Sequence, residues 1–440
     1  MKTLKQFTVI IILCMQTIGF SQEKALETIE NKYNSLLKEQ HKGVGVLVKK
    51  NKQIHTFSMG DFNLNENKVF NIGSATKTFT AVLLLQEIEK GNLKLTDSIG
   101  TFLTPIKNVD GALTIETLLT HQSGLNSVIG KNIEVAFYAK NDSIYNINLL
   151  DKIGENDPDM VGKFEYCNTN YLLLGKIIEK LTDRNYFDVL RERIIEPLQL
   201  KHTYPYVYKN IPNLATPYHK EKDVTEYLDY RYFATIANAA GSIASTLTDM
   251  EKFYTSLFET EILLKKETVQ LMMNSGSKYY GLGLMKSNDN GTVLYGHGGN
   301  NIGYSFSNVY NPITKNLFLA FSNTRKVPFD NAIKNDVLLY FKDKEIKMST
   351  IDIELFKKYV GNYLLKEANM VFEILIENGK LYLFVEAQGV KSLLLQKDET
   401  TLYDTTVGAN LTIIKDNDNA LTFSQNGFTT TITRVNSDKN

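Results

Sequence analysis

The 440-residue chain is poor in cysteine, with two, and in histidine, with six, and neither charge is in excess, with 49 Lys+Arg against 49 Asp+Glu. Two cysteines cannot build a disulfide scaffold. Balanced charge leaves no electrostatic reason to expect nucleic acid or an anionic membrane as partner. The histidines, at 41, 55, 121, 202, 219 and 297, have no zinc-like spacing, and there is no H-E-x-x-H or C-x-x-C pair. A G-x-x-x-x-G-K-[ST] loop and a G-x-S-x-G elbow are also missing. Metal and nucleotide chemistry are therefore disfavoured, and no cofactor or metal is expected. No internal repeat or low-complexity tract is present, and no apolar run after the N-terminus approaches the roughly 20 residues of a membrane span. With 43% hydrophobic and 22% charged residues, the composition is that of a globular protein.

Residues 1–21 have the pattern of a signal peptide. Lys2 and Lys5 form a basic start, Phe7 to Met15 a short apolar run, and Gly19-Phe20-Ser21 supplies small residues for cleavage before Gln22. A periplasmic or secreted protein without a stable membrane anchor is expected. Cys14 follows the bulky Leu13, which does not suit lipidation. After cleavage Cys167 is the only thiol, and no intramolecular disulfide is possible.

The rest divides by pattern. Residues 24–40 have helical periodicity, with Leu26, Ile29, Tyr33, Leu36 and Leu37 on one face. Val44–Lys49 and Ile54–Met59, separated by Lys50-Asn51-Lys52, predict a hairpin. A long helix is predicted from about Ser74 to Lys90, closed by Gly91-Asn92. Residues 100–260 are mainly helical in pattern. Strands return at Gly281–Met285, Val293–Tyr295, Ser305–Tyr310 and Leu317–Ser322, with Asn290-Gly291 as a hairpin turn. A helix at about 329–342 and a charged linker at 342–347 follow. Short strands then run over 352–436, turning at Asn378-Gly379 and Asn426-Gly427. The expected architecture is α/β (α+β): an antiparallel sheet flanked by helices with an inserted helical subdomain, over 22–345. A small all-β barrel or sandwich follows over 350–436.

Three short elements could carry chemistry. Ser74-Ala75-Thr76-Lys77 opens the strongest helix. A serine hydroxyl needs a base, and a lysine one turn on can reach it if burial lowers the ammonium pKa from about 10.4. S-x-x-K also begins at Ser21, Ser35 and Ser275, but only Ser74 follows an apolar-to-glycine approach and starts a helix. Tyr166-Cys167-Asn168 precedes a helix; a phenol lowered by nearby positive charge can act as base, and Asn168 can bridge to Lys77 and orient a substrate carbonyl. Tyr208-Lys209-Asn210 matches the same short pattern but lies in a Pro-flanked irregular stretch. His297-Gly298-Gly299-Asn300 enters a strand, where two glycines let substrate lie against the edge. There the Asn300 amide could share an oxyanion with that of Ser74.

In this order the elements resemble the serine β-lactamase and penicillin-binding-protein superfamily. The branch is that of class C β-lactamases, D-alanyl-D-alanine carboxypeptidases, D-aminopeptidases and family VIII esterases. Three further segments are similar: Leu113-Thr114-Ile115 with Leu118–Leu125, Phe164–Asn168 with Tyr171–Gly175, and Ala240–Thr246 with Asp249-Met250. The resemblance covers about 55–325, and the C-terminal part resembles a lipocalin-like β-domain. It implies Ser74 as nucleophile, Lys77 and Tyr166 as its proton relay, and Asn168, His297, Gly298, Gly299 and Asn300 as substrate-binding and oxyanion residues.

The chain also departs from that pattern. The class A partners S-D-N and K-T-G are absent, and Cys167 replaces a small residue, as a buried side chain. His297 stands where class C β-lactamases have lysine, a weaker grip on a β-lactam carboxylate. His121 is expected to shape its loop. The resemblance thus implies a secreted acyl-enzyme hydrolase of amide or ester bonds in D-amino-acid peptides or small acyl esters. A class C-like β-lactamase and a non-catalytic penicillin- or peptidoglycan-binding module are the alternatives. The partner is a small-molecule or peptide substrate; the oligomeric state is left open.

Overall fold

The structure is a computed structural model. It describes residues 23–38, 41–130, 133, 137–139, 148–219, 221–229, 231–346, 351–405, 408–425 and 428–435. The signal segment with its cleavage site, Lys347 of the linker and the Asn426-Gly427 turn lie outside the described residues. The chain divides into two compact units, Leu37–Val327 and the residues before Leu37 together with those from Pro328 onward.

The first unit is built on a mixed-sequence antiparallel sheet. Strands β1 (Gly43–Lys50) and β2 (Gln53–Gly60) form the predicted hairpin, turning through Asn51 and Lys52, both at positive φ. That left-handed pair gives the turn the twist a two-residue hairpin needs. Helix α1 (Thr76–Glu89) follows, then α2 (Ile115–Leu119), α3 (Asn168–Thr182) and α4 (Leu247–Glu259). The chain then returns through β3 (Met285–Asp289), β4 (Thr292–Gly296), β5 (Gly299–Asn301), β6 (Tyr304–Tyr310) and β7 (Leu317–Ser322). The sheet order is β2-β1-β7-β6-β4-β3, with β5 pairing β6 alone. First and last strands of the unit are thus neighbours, with the helical segment inserted between them, as the pattern predicted.

Burial explains the layers. β1 and β7 are buried throughout, as central strands covered on both faces are. α1 buries eleven of its fourteen residues, the polar Thr76, Lys77, Thr78, Thr80 and Glu87 among them, as a helix covered on all sides does. It is fixed to α4 by stacked Phe79 and Phe253 rings, 3.7 Å apart.

In the second unit a helix at 23–38 bonds to α5 (Asp330–Phe341) through Lys32 Nζ and Tyr33 Oη, 2.8 and 2.7 Å from Asp336 Oδ2. From Gly361 to Val435 eight strands close into an antiparallel barrel, each paired with the next and the last with the first. Its core includes Tyr363, Phe372, Ile374, Leu383, Leu411 and Phe423. α5, the helix expected at 329–342, shares this compact unit with the barrel, and its Asn335 bonds Tyr403 Oη at 3.3 Å.

Candidate active site

Ser74 sits in a single tight turn, Gly73–Ala75, that runs straight into α1. Gly73 adopts φ +53°, a conformation that favours glycine. A methyl group there would meet the Asn300 nitrogen at 2.8 Å. Gly299 is equally constrained from the other side, because a Cβ would lie 2.0 Å from Ile72 O and 2.5 Å from the Ser74 nitrogen. The edge of β5 is thus pressed on the nucleophile turn, and the Ser74 and Asn300 amides lie on adjacent backbones. Asn71 locks the approach: its Oδ1 accepts from Gly73 N at 3.0 Å, and its Nδ2 donates to the Gly241, Ser242 and Ile243 carbonyls. Sequence reasoning passed over Asn71, which has no motif of its own.

One helical turn on, Lys77 is completely buried. Its Nζ is 3.1 Å from Ser74 Oγ, 2.9 Å from Asn168 Oδ1 and 2.7 Å from Ala240 O. None of these partners is a carboxylate, and burial pushes the Lys77 pKa well below its ordinary value. The two carbonyl oxygens can only accept, so Lys77 donates to both in either protonation state; once it is deprotonated, its lone pair is the group left facing the Ser74 hydroxyl. Asn168 therefore does bridge to Lys77, as expected from its place in Tyr166-Cys167-Asn168. The Ala240 carbonyl was not foreseen, although its segment was noticed.

Tyr166 differs from expectation. Its hydroxyl is buried without a hydrogen bond of ordinary geometry. Burial pushes its pKa up, and the nearby Ser74 hydroxyl offsets only part of that. Lys77 Nζ lies 4.9 Å from the ring centre, but burial disfavours its charged form too, and the expected lowering by positive charge does not offset the burial of the phenol. The resting tyrosine is a neutral phenol.

His297 is held from both sides of its ring. It is fully buried, with Nδ1 2.7 Å from Gly298 O and Nε2 2.8 Å from Tyr280 Oη. A carbonyl only accepts, so Nδ1 carries the proton and Nε2 accepts from the tyrosine. Burial lowers its pKa to about 3. With both nitrogens committed internally, His297 does not present a charge to substrate. It fixes the β5 entrance, aided by Asn308, whose side chain bonds both its N–H and its carbonyl.

A buried aromatic group backs these residues. The His121 ring centre is 4.3 Å from that of Tyr166 and 4.7 Å from that of Tyr280. Its Nδ1 accepts from the Cys167 amide at 3.2 Å. His121 is thus the expected loop-shaping hydrogen bonder, and it also walls Tyr166. Cys167 is buried and its thiol pKa is raised by burial, which makes it a packing residue. Tyr280 left no signal in the sequence, since its partner is 17 residues away in another element.

The site opens into a cleft of about 790 Å³, whose wall includes Ser74, Asn168, Gly241, Asn300 and Arg325. Among the described residues no group of His, Cys, Asp or Glu is arranged to hold a metal ion. No described helix is long and apolar enough to cross a membrane.

A serine at a helix start, a desolvated lysine one turn on and a glycine-lined strand edge beside both define the fold and site of a serine β-lactamase/penicillin-binding protein. The Beta-lactamase family model matches residues 26–340, and the chain belongs to that family. Penicillin-binding protein 4* of Bacillus subtilis is 27% identical over 372 residues, covering 74% of this chain and 80% of that protein. Teichoic acid D-alanine hydrolase of Staphylococcus aureus is 29% identical over 231 residues, covering 49% of this chain and 52% of that protein. Among solved structures, the D-stereospecific amidohydrolase from a Streptomyces species superposes with a TM-score of 0.60. It is 26% identical, over 70% of this chain and 97% of that one.

Proposed function

We propose that the protein is a serine hydrolase that cleaves amide or ester bonds through an acyl-enzyme, acting on D-amino-acid peptides or small acyl esters. The observation that carries this reading is the buried Lys77 amine, 3.1 Å from the Ser74 hydroxyl, with no carboxylate among its partners and its pKa lowered by burial. Ser74 attacks the carbonyl carbon as its proton passes to Lys77. The oxyanion is held by the Ser74 and Asn300 amides. Tyr166, protonated at rest, gives its proton to the leaving group while taking one from the Lys77 ammonium. Reversal of that relay activates the water that releases the acyl group. Asn168 holds Lys77 in register, and Gly298 and Gly299 keep the strand edge open to substrate.

A D-amino-acid or D-alanyl substrate is supported by the relatives, a teichoic acid D-alanine hydrolase and a D-stereospecific amidohydrolase, and a neutral, internally bonded His297 supports a peptidase or esterase over a β-lactamase. A basic, apolar N-terminus supports secretion to the periplasm or beyond. The test is reaction with a fluorescent fluorophosphonate and a fluorescent penicillin. Labelling that disappears in Ser74→Ala, with turnover of a p-nitrophenyl ester or a D-alanyl peptide by the wild type, is the expected result. Wild-type protein that takes neither label refutes the enzyme reading and leaves a binding module.

A further inference from the structure

The same unit carries a second cavity, of about 940 Å³, none of whose lining residues borders the catalytic cleft. Its volume falls within the range of ligand sites, roughly 300–1,000 Å³. One wall is the segment Tyr204-Pro205-Tyr206-Val207-Tyr208, in which every second residue is a tyrosine. Val207 is fully buried, and the three tyrosines are half-buried. The backbone beneath them is fixed. Tyr204 exchanges two hydrogen bonds with Ala244, at 2.8 and 3.0 Å, and Val207 N donates to Ser242 O at 3.2 Å. Ser242 Oγ donates to Pro205 O at 2.7 Å. The tyrosines thus stand on a preformed wall.

Ring geometry narrows the occupant. The Tyr204 and Tyr208 centres are 6.2 Å apart with their planes at 88°, and Tyr206 meets Tyr208 at 6.2 Å and 60°. Neither pair is parallel, so the rings form a corner and not a slot for one flat heteroaromatic ring. Such a corner offers apolar faces and hydroxyls together.

Charge narrows it further. Arg191, Lys201 and Lys209 line the cavity against Glu196, Glu226 and Asp229, so the lining has no net charge. Arg191 pairs with Asp188 at 2.9 Å, Lys209 with Glu226 at 3.5 Å, and Asp229 with Arg231. A charged ligand meets a repelling group for each attracting one, and a wholly apolar ligand strips water from all of them. A sugar suits both features. Its C–H faces pack on tyrosine, and each of its hydroxyls both donates and accepts, which matches a mixture of cationic donors and carboxylate acceptors.

We propose that this tyrosine-walled cavity binds a neutral pyranose oligosaccharide, at a site separate from the hydrolytic cleft and independent of the acyl-enzyme reading. Tyr204 and Tyr208 pack on the sugar faces, while Lys209, Glu226 and Asp229 bond its hydroxyls. The exposed Lys209–Glu226 pair loses little by exchanging partners, because exposed ion pairs contribute little.

The test is isothermal titration calorimetry of the protein with cellotetraose, maltotetraose and tetra-N-acetylchitotetraose. Tetragalacturonic acid and adenosine serve as the anionic and flat aromatic comparisons. At least one neutral tetrasaccharide should bind saturably below about 10 mM, and more tightly than either comparison. Tyr204→Ala and Tyr208→Ala should each weaken that binding by about tenfold, the loss of one packed ring. Tyr208→Phe, which keeps the ring, should stay within about threefold of the wild type. Glu226→Ala should weaken binding by about two- to tenfold through a lost hydroxyl contact. That residue is exposed, so its variant keeps the test intact if circular dichroism shows a tyrosine variant to be unfolded. No saturable heat with any of the three neutral sugars overturns the inference. Tighter binding of tetragalacturonic acid or adenosine overturns it too, as does sugar binding unmoved in Tyr204→Ala, Tyr208→Ala and Glu226→Ala. None of these results touches Ser74-dependent fluorophosphonate labelling, so the hydrolase reading stands or falls separately.

Discussion

Replacing Lys77 by methionine tests the central claim, that a buried neutral amine is the base. Methionine fills a similar volume, has no charge to desolvate and has no lone pair basic enough to take a proton. Loss of a positioned general base typically costs 10²–10⁴-fold in rate. Lys77→Met should therefore lower Ser74 acylation by about that factor, measured by stopped-flow with a p-nitrophenyl ester. Stability should show a distinctive pH dependence. In the unfolded chain lysine keeps its proton up to about pH 10.4. In the folded protein burial lowers the Lys77 pKa well below that. Between the two values the unfolded state binds one more proton, so wild-type stability rises with pH by about 1.4 kcal/mol per unit, and that slope is lost in Lys77→Met. The variant also leaves Asn168 Oδ1 and Ala240 O without their donor, at roughly 1–3 kcal/mol each. The readout is therefore the slope of urea-unfolding free energy across pH 7–10 and not the absolute difference at one pH. Equal slopes in the two proteins refute the neutral-amine argument. So does a wild-type acylation rate that rises only with an apparent pKa near 10.4.

Other consequences follow from single contacts. Tyr166→Phe removes a hydroxyl that has no hydrogen bond of ordinary geometry, so it should lower kcat by at least tenfold while leaving the melting temperature within a few degrees. Tyr280→Phe orphans the buried Nε2 of His297, which should cost about 1–3 kcal/mol in chemical unfolding and reduce kcat through displacement of the β5 edge. Unchanged stability would contradict the assigned tautomer. Gly299→Ala places a methyl group 2.0 Å from Ile72 O, so the strand must move off the nucleophile turn. Fluorophosphonate labelling should be lost while far-UV circular dichroism is retained.

Much of the architecture was legible because its signals are local. Asn51-Lys52 and Asn290-Gly291 turn hairpins because these residues adopt positive φ in the chain as in the fold. The helix from Thr76 and the β-rich C-terminal barrel announce themselves by period and composition. The grouping of α5 with the barrel was not legible, since the bonds Lys32–Asp336 and Asn335–Tyr403 join segments far apart in the chain.

The candidate site divides the same way. Ser74 and Lys77 share a helix turn, and Asn168 lies near Tyr166 in the chain, so spacing alone proposes them. Ionisation is different, because it depends on what surrounds a group from all sides. A lone Lys77, Tyr166 or His297 reads as an ordinary lysine, tyrosine or histidine. Only the packing of α1, α3, β5 and the residues about Ala240 removes water from all three, pushing the amine's pKa down and the phenol's up and keeping the imidazole neutral. The sequence by itself determined which atoms are available for chemistry, through local spacing and turn preference. The tertiary structure decided their ionisation, because desolvation and long-range contact exist only once distant segments have come together.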